Sequence, residues 1–216
     1  MDFVIDYADK LKIPNLTHHV TNEEGKAPML ILKYEGDGQR NVMLYGHLDK
    51  QPHMEGWREG TGPTTPAIFN GRLYGWGSSD DGYVPFAVLL SIKNALDQGA
   101  KLPWLVLVLE TEEESGSADL VYLLNKNKEL IGNIDACICL DSGCLDYDSL
   151  WLTSTLRGLC GFELNVEIAN QGTHSGLAGG ILPDTWRIIN LLLRWLENPE
   201  TGKVIDELHV PITNYF

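Results

Sequence analysis

The segment from Trp104 to Ser117, WLVLVLETEEESGS, constrains the fold of this chain more than any other. After Pro103, Leu105 to Leu109 is an unbroken run of β-prone apolar residues, too short for a typical helix and too uniformly apolar for a strand with one wet face. It reads as a central strand of a covered parallel sheet. Glu112, Glu113 and Glu114 follow where the strand leaves the sheet and a helix begins. Open α/β sheets hold ligands just outside the carboxyl ends of their strands. Acidic residues also suit the positive N-terminus of the next helix, and the cluster alone is consistent with either role.

Two other strands bear on that choice. Asn41 to Tyr45 is short and apolar and runs into Gly46, His47, Leu48 and Asp49. Side chains two apart in a strand share a face, so Asp49 is a candidate acceptor for the second ring nitrogen of a metal-bound His47. A hydrogen-bonded surface pair fits the same two residues. Ala136 to Leu140 reads as a third buried strand and ends in Asp141. Between the first and second of these strands, GSSDDGY places Asp80 beside Asp81, carboxylates that repel unless something positive lies near. They also suit the N-cap of a helix opened by Pro85, with Val88, Leu89, Ile92, Ala95 and Leu96 as its stripe and Gly99 at its close. Three strands thus deliver His47, Glu113 with Glu114, and Asp141 to one edge of a sheet. One imidazole with several carboxylates is a hard, oxygen-rich set suited to zinc, manganese or cobalt in a hydrolytic site.

The rest of the chain fills in around these strands. Phe3 to Leu11 has helical spacing, Met29 to Tyr34 reads as a strand, and residues 50–70 form a long Gly-, Pro- and Thr-rich loop in which His53 is solvated. Gly71 to Trp76 suits a short strand, and Ala118 to Ile131 a helix capped by Ser115 or Ser117 and ended by Gly132. From Thr153 the texture changes. Phe162, Leu164, Val166 and Ile168 alternate with polar residues, as in a strand with one wet face. A Gly-rich loop (Gln171 to Gly180) precedes a helix capped by Asp184, with Ile188, Ile189, Leu192, Trp195 and Leu196 on one face. Val210 to Phe216 suits the start of another strand.

The expected architecture is α/β, a mostly parallel mixed sheet covered by helices over residues 1–152, with part of a second α+β domain over 153–216. Cys137, Cys139, Cys144 and Cys160 lack paired spacing and read as small buried hydrophobes, with no disulfide and no metal. The 16 Lys and Arg against 30 Asp and Glu, a net charge of −14, argue against nucleic acid or an anionic membrane as partner. No run is long enough to cross a bilayer, and MDFVIDYADK lacks the regions of a signal peptide, so a cytoplasmic location is expected.

YGHLD at 45–49, GWGSSDDGY at 75–83, EEESGS at 112–117, LDSG at 140–143, LRG at 156–158 and THSG at 173–176 together resemble the M20 family of metallopeptidases, on its carnosinase-like dipeptidase side. The resemblance implies a catalytic domain holding two divalent metal ions, usually zinc, and a smaller lid and dimerisation domain through which a homodimer forms. By it, His47, Asp80, Glu114 and Asp141 match metal ligands, with Asp80 bridging both ions. Glu113 matches the general base, Asp49 the partner of His47, and His174 a lid histidine that reaches a neighbouring subunit's site. The substrate class is a dipeptide or a similar small amide such as an N-acyl amino acid.

Trp76 stands where family members commonly have Arg. Members are also longer, with more chain before the first strand and a last histidine ligand near the C-terminus, so the chain is expected to be incomplete at both ends. His18, His19 and His209 do not fill that role. On this expectation one ion keeps His47, Asp80 and Asp141, and the other only Asp80 and Glu114. The alternative expectation is a non-catalytic fragment acting as a metal-binding or dimerisation module.

Overall fold

A computed structural model describes residues 1–211, which fall into two units, one spanning Met1–Thr153 and the other beginning at Ser154. The first unit contains strands β1 (Leu16–Thr21), β2 (Met29–Tyr34), β3 (Asn41–His47), β4 (Ala67–Phe69), β5 (Arg72–Tyr74), β6 (Trp104–Glu110) and β7 (Ala136–Cys139). Its helices are α1 (Asp2–Leu11), α2 (Val84–Asp97), α3 (Leu120–Lys126) and α4 (Lys128–Ile131). Five strands form one sheet in the order β1-β2-β6-β3-β7, and β4 with β5 makes a separate hairpin. The apolar run is the central strand, as its composition requires. β6 pairs antiparallel with β2 and parallel with β3, and β3 pairs parallel with β7.

Alternation along β2 and β6 explains why both strands read as continuously apolar. Leu30, Leu32, Leu107 and Leu109 face a core shared with Val4 and Ala8 of α1 and with Val88, Leu89 and Ile92 of α2. Met29, Ile31, Val106 and Val108 face the opposite core, with Leu123 of α3 and Ile131 of α4. Helices therefore cover both faces, and neither set of side chains meets water. The crossover from β3 to β6 runs through α2 on one face, whereas that from β6 to β7 runs through α3 and α4 on the other. The neighbouring strands β3 and β6 thus send their chains to opposite faces. A crevice opens at such a point outside the carboxyl ends of the strands.

Several local expectations are corrected. The helix expected over Ala118 to Ile131 begins at Leu120 and is interrupted at Asn127, whose buried side chain accepts from Thr21 Oγ1 at 3.0 Å and donates to the Leu123 carbonyl at 2.9 Å. Neither Ser115 nor Ser117 caps it; Asp119 stands at the N-cap, but its carboxylate is taken by Lys26 Nζ and the Ala27 N–H. Asp80 and Asp81 do not cap α2 either. That helix begins after Tyr83, and the Asp81 side chain turns toward β3 instead. β1 was not anticipated, because its polar LTHHVT sequence lies at the sheet edge, where His18 and His19 are exposed. The third strand forms but is not buried. β7 is the opposite edge, all four of its residues are exposed, and with them Cys137 and Cys139; Cys144 and Cys160 are exposed in irregular segments.

In the second unit, the stretch from Phe162 to Ile168 is not a strand, although Leu164 and Val166 are half-buried and their polar neighbours exposed. Alternation becomes a strand only when a neighbour completes the hydrogen-bond ladder, and among the described residues none does. α5 (Ser175–Ala178) and α6 (Thr185–Leu193) follow, the latter capped by the Asp184 carboxylate, which accepts from the Trp186 N–H at 2.8 Å. Residues 212–216 of the expected final strand lie outside the described residues.

Candidate metal centre

β3, β6 and β7 end side by side, and each end carries its acid or imidazole into the crevice. His47, the last residue of β3, pairs in register with Glu110, so the glutamates that follow β6 start two residues beyond the level of the histidine. The His47 side chain is fully buried, and its Nε2 lies 3.0 Å from Asp80 Oδ1, 3.9 Å from Glu113 Oε2 and 3.9 Å from Asp141 Oδ2. His47, Asp80 and Asp141 offer donor atoms all within 4.8 Å of one another. The carboxylates remain open to solvent, with Asp80 61 % exposed, so the imidazole forms the floor and the acids the rim.

The imidazole is held from behind. Its Nδ1 lies 3.0 Å from the Asp49 carbonyl oxygen and 3.4 Å from Asp49 Oδ1, so the main chain of Asp49 is the nearer partner. The His47 N–H donates to Asp81 Oδ2 at 3.0 Å. Asp81 is fully buried and its Oδ1 has no hydrogen-bond partner; burial pushes its pKa up to about 6, against the His47 N–H and ring. Burial works to lower the His47 pKa, but the Asp49 carbonyl and the Asp81 and Asp49 carboxylates outweigh it and the value is raised. Glu113 is raised too, first by burial and then by the charges of Asp141, Glu114 and Glu110.

Asp49 also reaches the glutamates. Its Oδ1 accepts from the Glu113 N–H at 3.2 Å and its Oδ2 from the Glu114 N–H at 3.0 Å, at the start of the 3₁₀ turn Glu113–Ser115. Glu114 stands apart from the His47 cluster and accepts from Gln51 Nε2 at 2.6 Å, while Trp76 Nε1 donates to the Gln51 carbonyl at 2.8 Å. His174 belongs to the second unit, where it is exposed and its Nδ1 accepts from the Gly176 N–H at 3.1 Å, capping the single turn of α5.

Residues that no sequence signal singled out also shape the crevice. Lys50 lays its stem across Gly77, a residue at φ +74° where an added Cβ would meet Lys50 Cε at 2.3 Å, and its Nζ donates to the Asp49 carbonyl at 2.7 Å. Burial lowers the Lys50 pKa against the pull of Asp49, Asp81, Asp80 and Glu114. Buried Glu110 accepts from the Tyr45 hydroxyl and from Ser117 Oγ, fastening the loop behind the glutamates. A lysine three residues after a histidine and an acid at the end of an apolar strand are common patterns, which is why neither stood out.

The donor set fits a divalent cation. Among the described residues no lysine or arginine comes within 4.0 Å of Asp80, Glu113, Glu114 or Asp141, so these acids converge on His47 Nε2 without a cationic side chain paired to them. Convergent carboxylates with one imidazole are zinc-type ligands.

A crevice at the switch point of an α/β sheet, floored by an imidazole and rimmed by acids, is the arrangement of a metallopeptidase catalytic domain. Residues 43–178 match peptidase family M20/M25/M40, and the chain belongs to that family. It is 32 % identical over 160 residues to the Beta-Ala-His dipeptidase of Rattus norvegicus, covering 72 % of this chain and 32 % of that protein. It is 29 % identical over 195 residues to the Cys-Gly metallodipeptidase dug1 of Schizosaccharomyces pombe, covering 87 % and 40 %. In fold it is similar to the di-peptidase Dug1p from Saccharomyces cerevisiae, with a TM-score of 0.61 and 22 % identity over 99 % of this chain and 48 % of that one. The chain thus spans between about a third and two fifths of the length of these curated relatives. Among the described residues no helix is long and apolar enough to cross a membrane.

Proposed function

We propose that this chain carries the metal-binding part of a peptidase that hydrolyses dipeptides or similar small amides, N-acyl amino acids included. The observation that carries the reading is the convergence of Asp80, Glu113 and Asp141 on one buried imidazole nitrogen, in a chain of the M20 family. His47, Asp80 and Asp141 would hold one divalent cation and Asp80 with Glu114 a second, zinc being the first choice and manganese or cobalt the others. Such cations, when bound, supply Lewis-acid activation of water and of the scissile carbonyl.

The protein's own residues do the rest. The Asp49 carbonyl fixes the His47 ring so that Nε2 faces the acids. Glu113, the half-exposed carboxylate beside that nitrogen, takes a proton from the attacking water and returns it to the leaving amine. His174 donates to the developing oxyanion in the site of a neighbouring subunit, the second unit serving as lid and homodimer contact, in a cytoplasmic enzyme. A second reading, a metal-binding module without turnover, draws on Glu114, which is engaged by Gln51 and leaves the second cation with few ready donors.

The test is hydrolysis of β-alanyl-histidine and cysteinyl-glycine by the zinc-loaded protein, beside its metal content. Glu113→Gln is expected to abolish turnover and keep the metal, because an amide fills the same space and accepts no proton. Retained activity would remove Glu113 from the role. Loss of metal would make it a ligand instead. Zinc binding with no cleavage of either peptide by the unsubstituted protein would favour the second reading.

A further inference from the structure

Asp49 meets two different elements at once. One end of the residue, its carbonyl, accepts a hydrogen bond from the His47 Nδ1–H at 3.0 Å, which already satisfies the ring without the side chain. The carboxylate lies across the crevice floor and receives two consecutive main-chain N–H groups, from Glu113 at 3.2 Å and Glu114 at 3.0 Å. These are the amides at the head of a 3₁₀ turn, which has no partner for them within itself. The turn has no other side-chain cap of its own. A carboxylate oxygen for each amide makes two charge-assisted bonds, stronger than neutral ones and geometrically exacting.

We infer that Asp49 is a positioning residue for Glu113 and Glu114: its carboxylate clamps the turn that sets where both side chains point, Glu113 toward His47 Nε2 and Glu114 toward Gln51, and its contact with the imidazole runs chiefly through the main chain. The inference rests on the roles given to Glu113 and Glu114 above. It joins the end of β3 to the loop after β6, so that the histidine and the glutamates keep one spacing. Its single negative charge is shared between two amides, and only a side chain with two acceptor oxygens serves both.

That requirement separates two substitutions. In Asp49→Asn one oxygen remains for one amide while the side-chain NH₂ faces the other N–H, donor against donor. In Asp49→Ala both amides lose their acceptor. Backbone amide exchange, read by NMR on the 216-residue chain, is expected to be at least about tenfold slower than the unstructured-peptide rate at Glu113 and Glu114 in the unsubstituted protein. It should rise about tenfold or more at both in Asp49→Ala, and at only one of the two in Asp49→Asn. The visible spectrum of cobalt bound in place of zinc is expected to change in both variants, because the glutamate carboxylates are re-aimed, a signature that a merely fastening role would not move.

Unchanged exchange at both amides in Asp49→Ala would overturn the clamp, and an unchanged cobalt spectrum would overturn the positioning of the side chains. Should either variant fail to fold, the unsubstituted chain still decides, since exchange of both amides at the free-peptide rate contradicts the two bonds. These readings do not require that any peptide be cleaved, so an inactive protein with protected amides would refute the proposed hydrolysis and leave the clamp standing.

Discussion

Gly46 shows how much of the site depends on a missing side chain. It sits one residue before His47 on β3, and a Cβ there would lie 2.6 Å from Asp81 Oδ2 and 2.6 Å from Val84 Cγ1. Only a bare backbone lets the start of α2 come close enough for Asp81 to take the His47 N–H. Gly46→Ala is therefore expected to destabilise the chain by about 1–3 kcal/mol, the usual cost of overpacking a filled site. Urea unfolding with an unchanged m-value checks it. The same reasoning shows the limit of reading the motif as letters: YGHLD announces a histidine and an acid, whereas the partner of each depends on what packs behind the glycine.

At the scale of elements, Asn127 is the joint between α3 and α4 and the anchor of both to the sheet edge. It is buried, accepts from Thr21 Oγ1 of β1 and donates to the Leu123 carbonyl. Removing its side chain leaves the buried Thr21 hydroxyl without its acceptor, while the Leu123 carbonyl keeps the main-chain N–H of residue 127, so Asn127→Ala is expected to cost about 1–3 kcal/mol. Asn125→Ala, two residues away and exposed, should stay within about 0.5 kcal/mol. Equilibrium denaturation of the two variants side by side separates a buried network from general helix propensity. The apolar repeat of this segment announced helix, and the interruption escaped notice because Asn127 reads as one more polar residue until β1 is known to lie beside it.

On the scale of the whole molecule the two units differ in how they are held. Among the described residues, all the buried apolar ones belong to the first, which also contains every acid of the crevice, whereas those of the second are exposed or half-buried. Limited proteolysis is expected to cut first between residues 154 and 170, which are without regular structure, and to release a fragment that still binds zinc. Mass spectrometry of the early fragments, followed by zinc titration of the larger one, checks this. Zinc at a hundredfold its dissociation constant should stabilise the first unit by about 2.7 kcal/mol, a gain removed by EDTA. Denaturant unfolding with and without the chelator measures it; no difference would mean that the His47 cluster does not bind the ion.

Much of this was legible in the chain alone. A strand with an unbroken apolar run and cores on both faces has to be central, because only burial on both sides tolerates such a run, and Leu105 to Leu109 therefore announced the sheet. The acids and the histidine at the ends of β3, β6 and β7 were readable for the same reason, since a strand's direction says where its last residue emerges. What only the tertiary structure decided depends on neighbours distant in sequence. Whether Cys137 is buried depends on β7 being an edge, and whether Phe162 to Ile168 becomes a strand depends on a partner to complete its ladder. That the Asp49 carboxylate serves the Glu113 and Glu114 amides follows from the parallel register of β3 against β6, and no local pattern encodes a register.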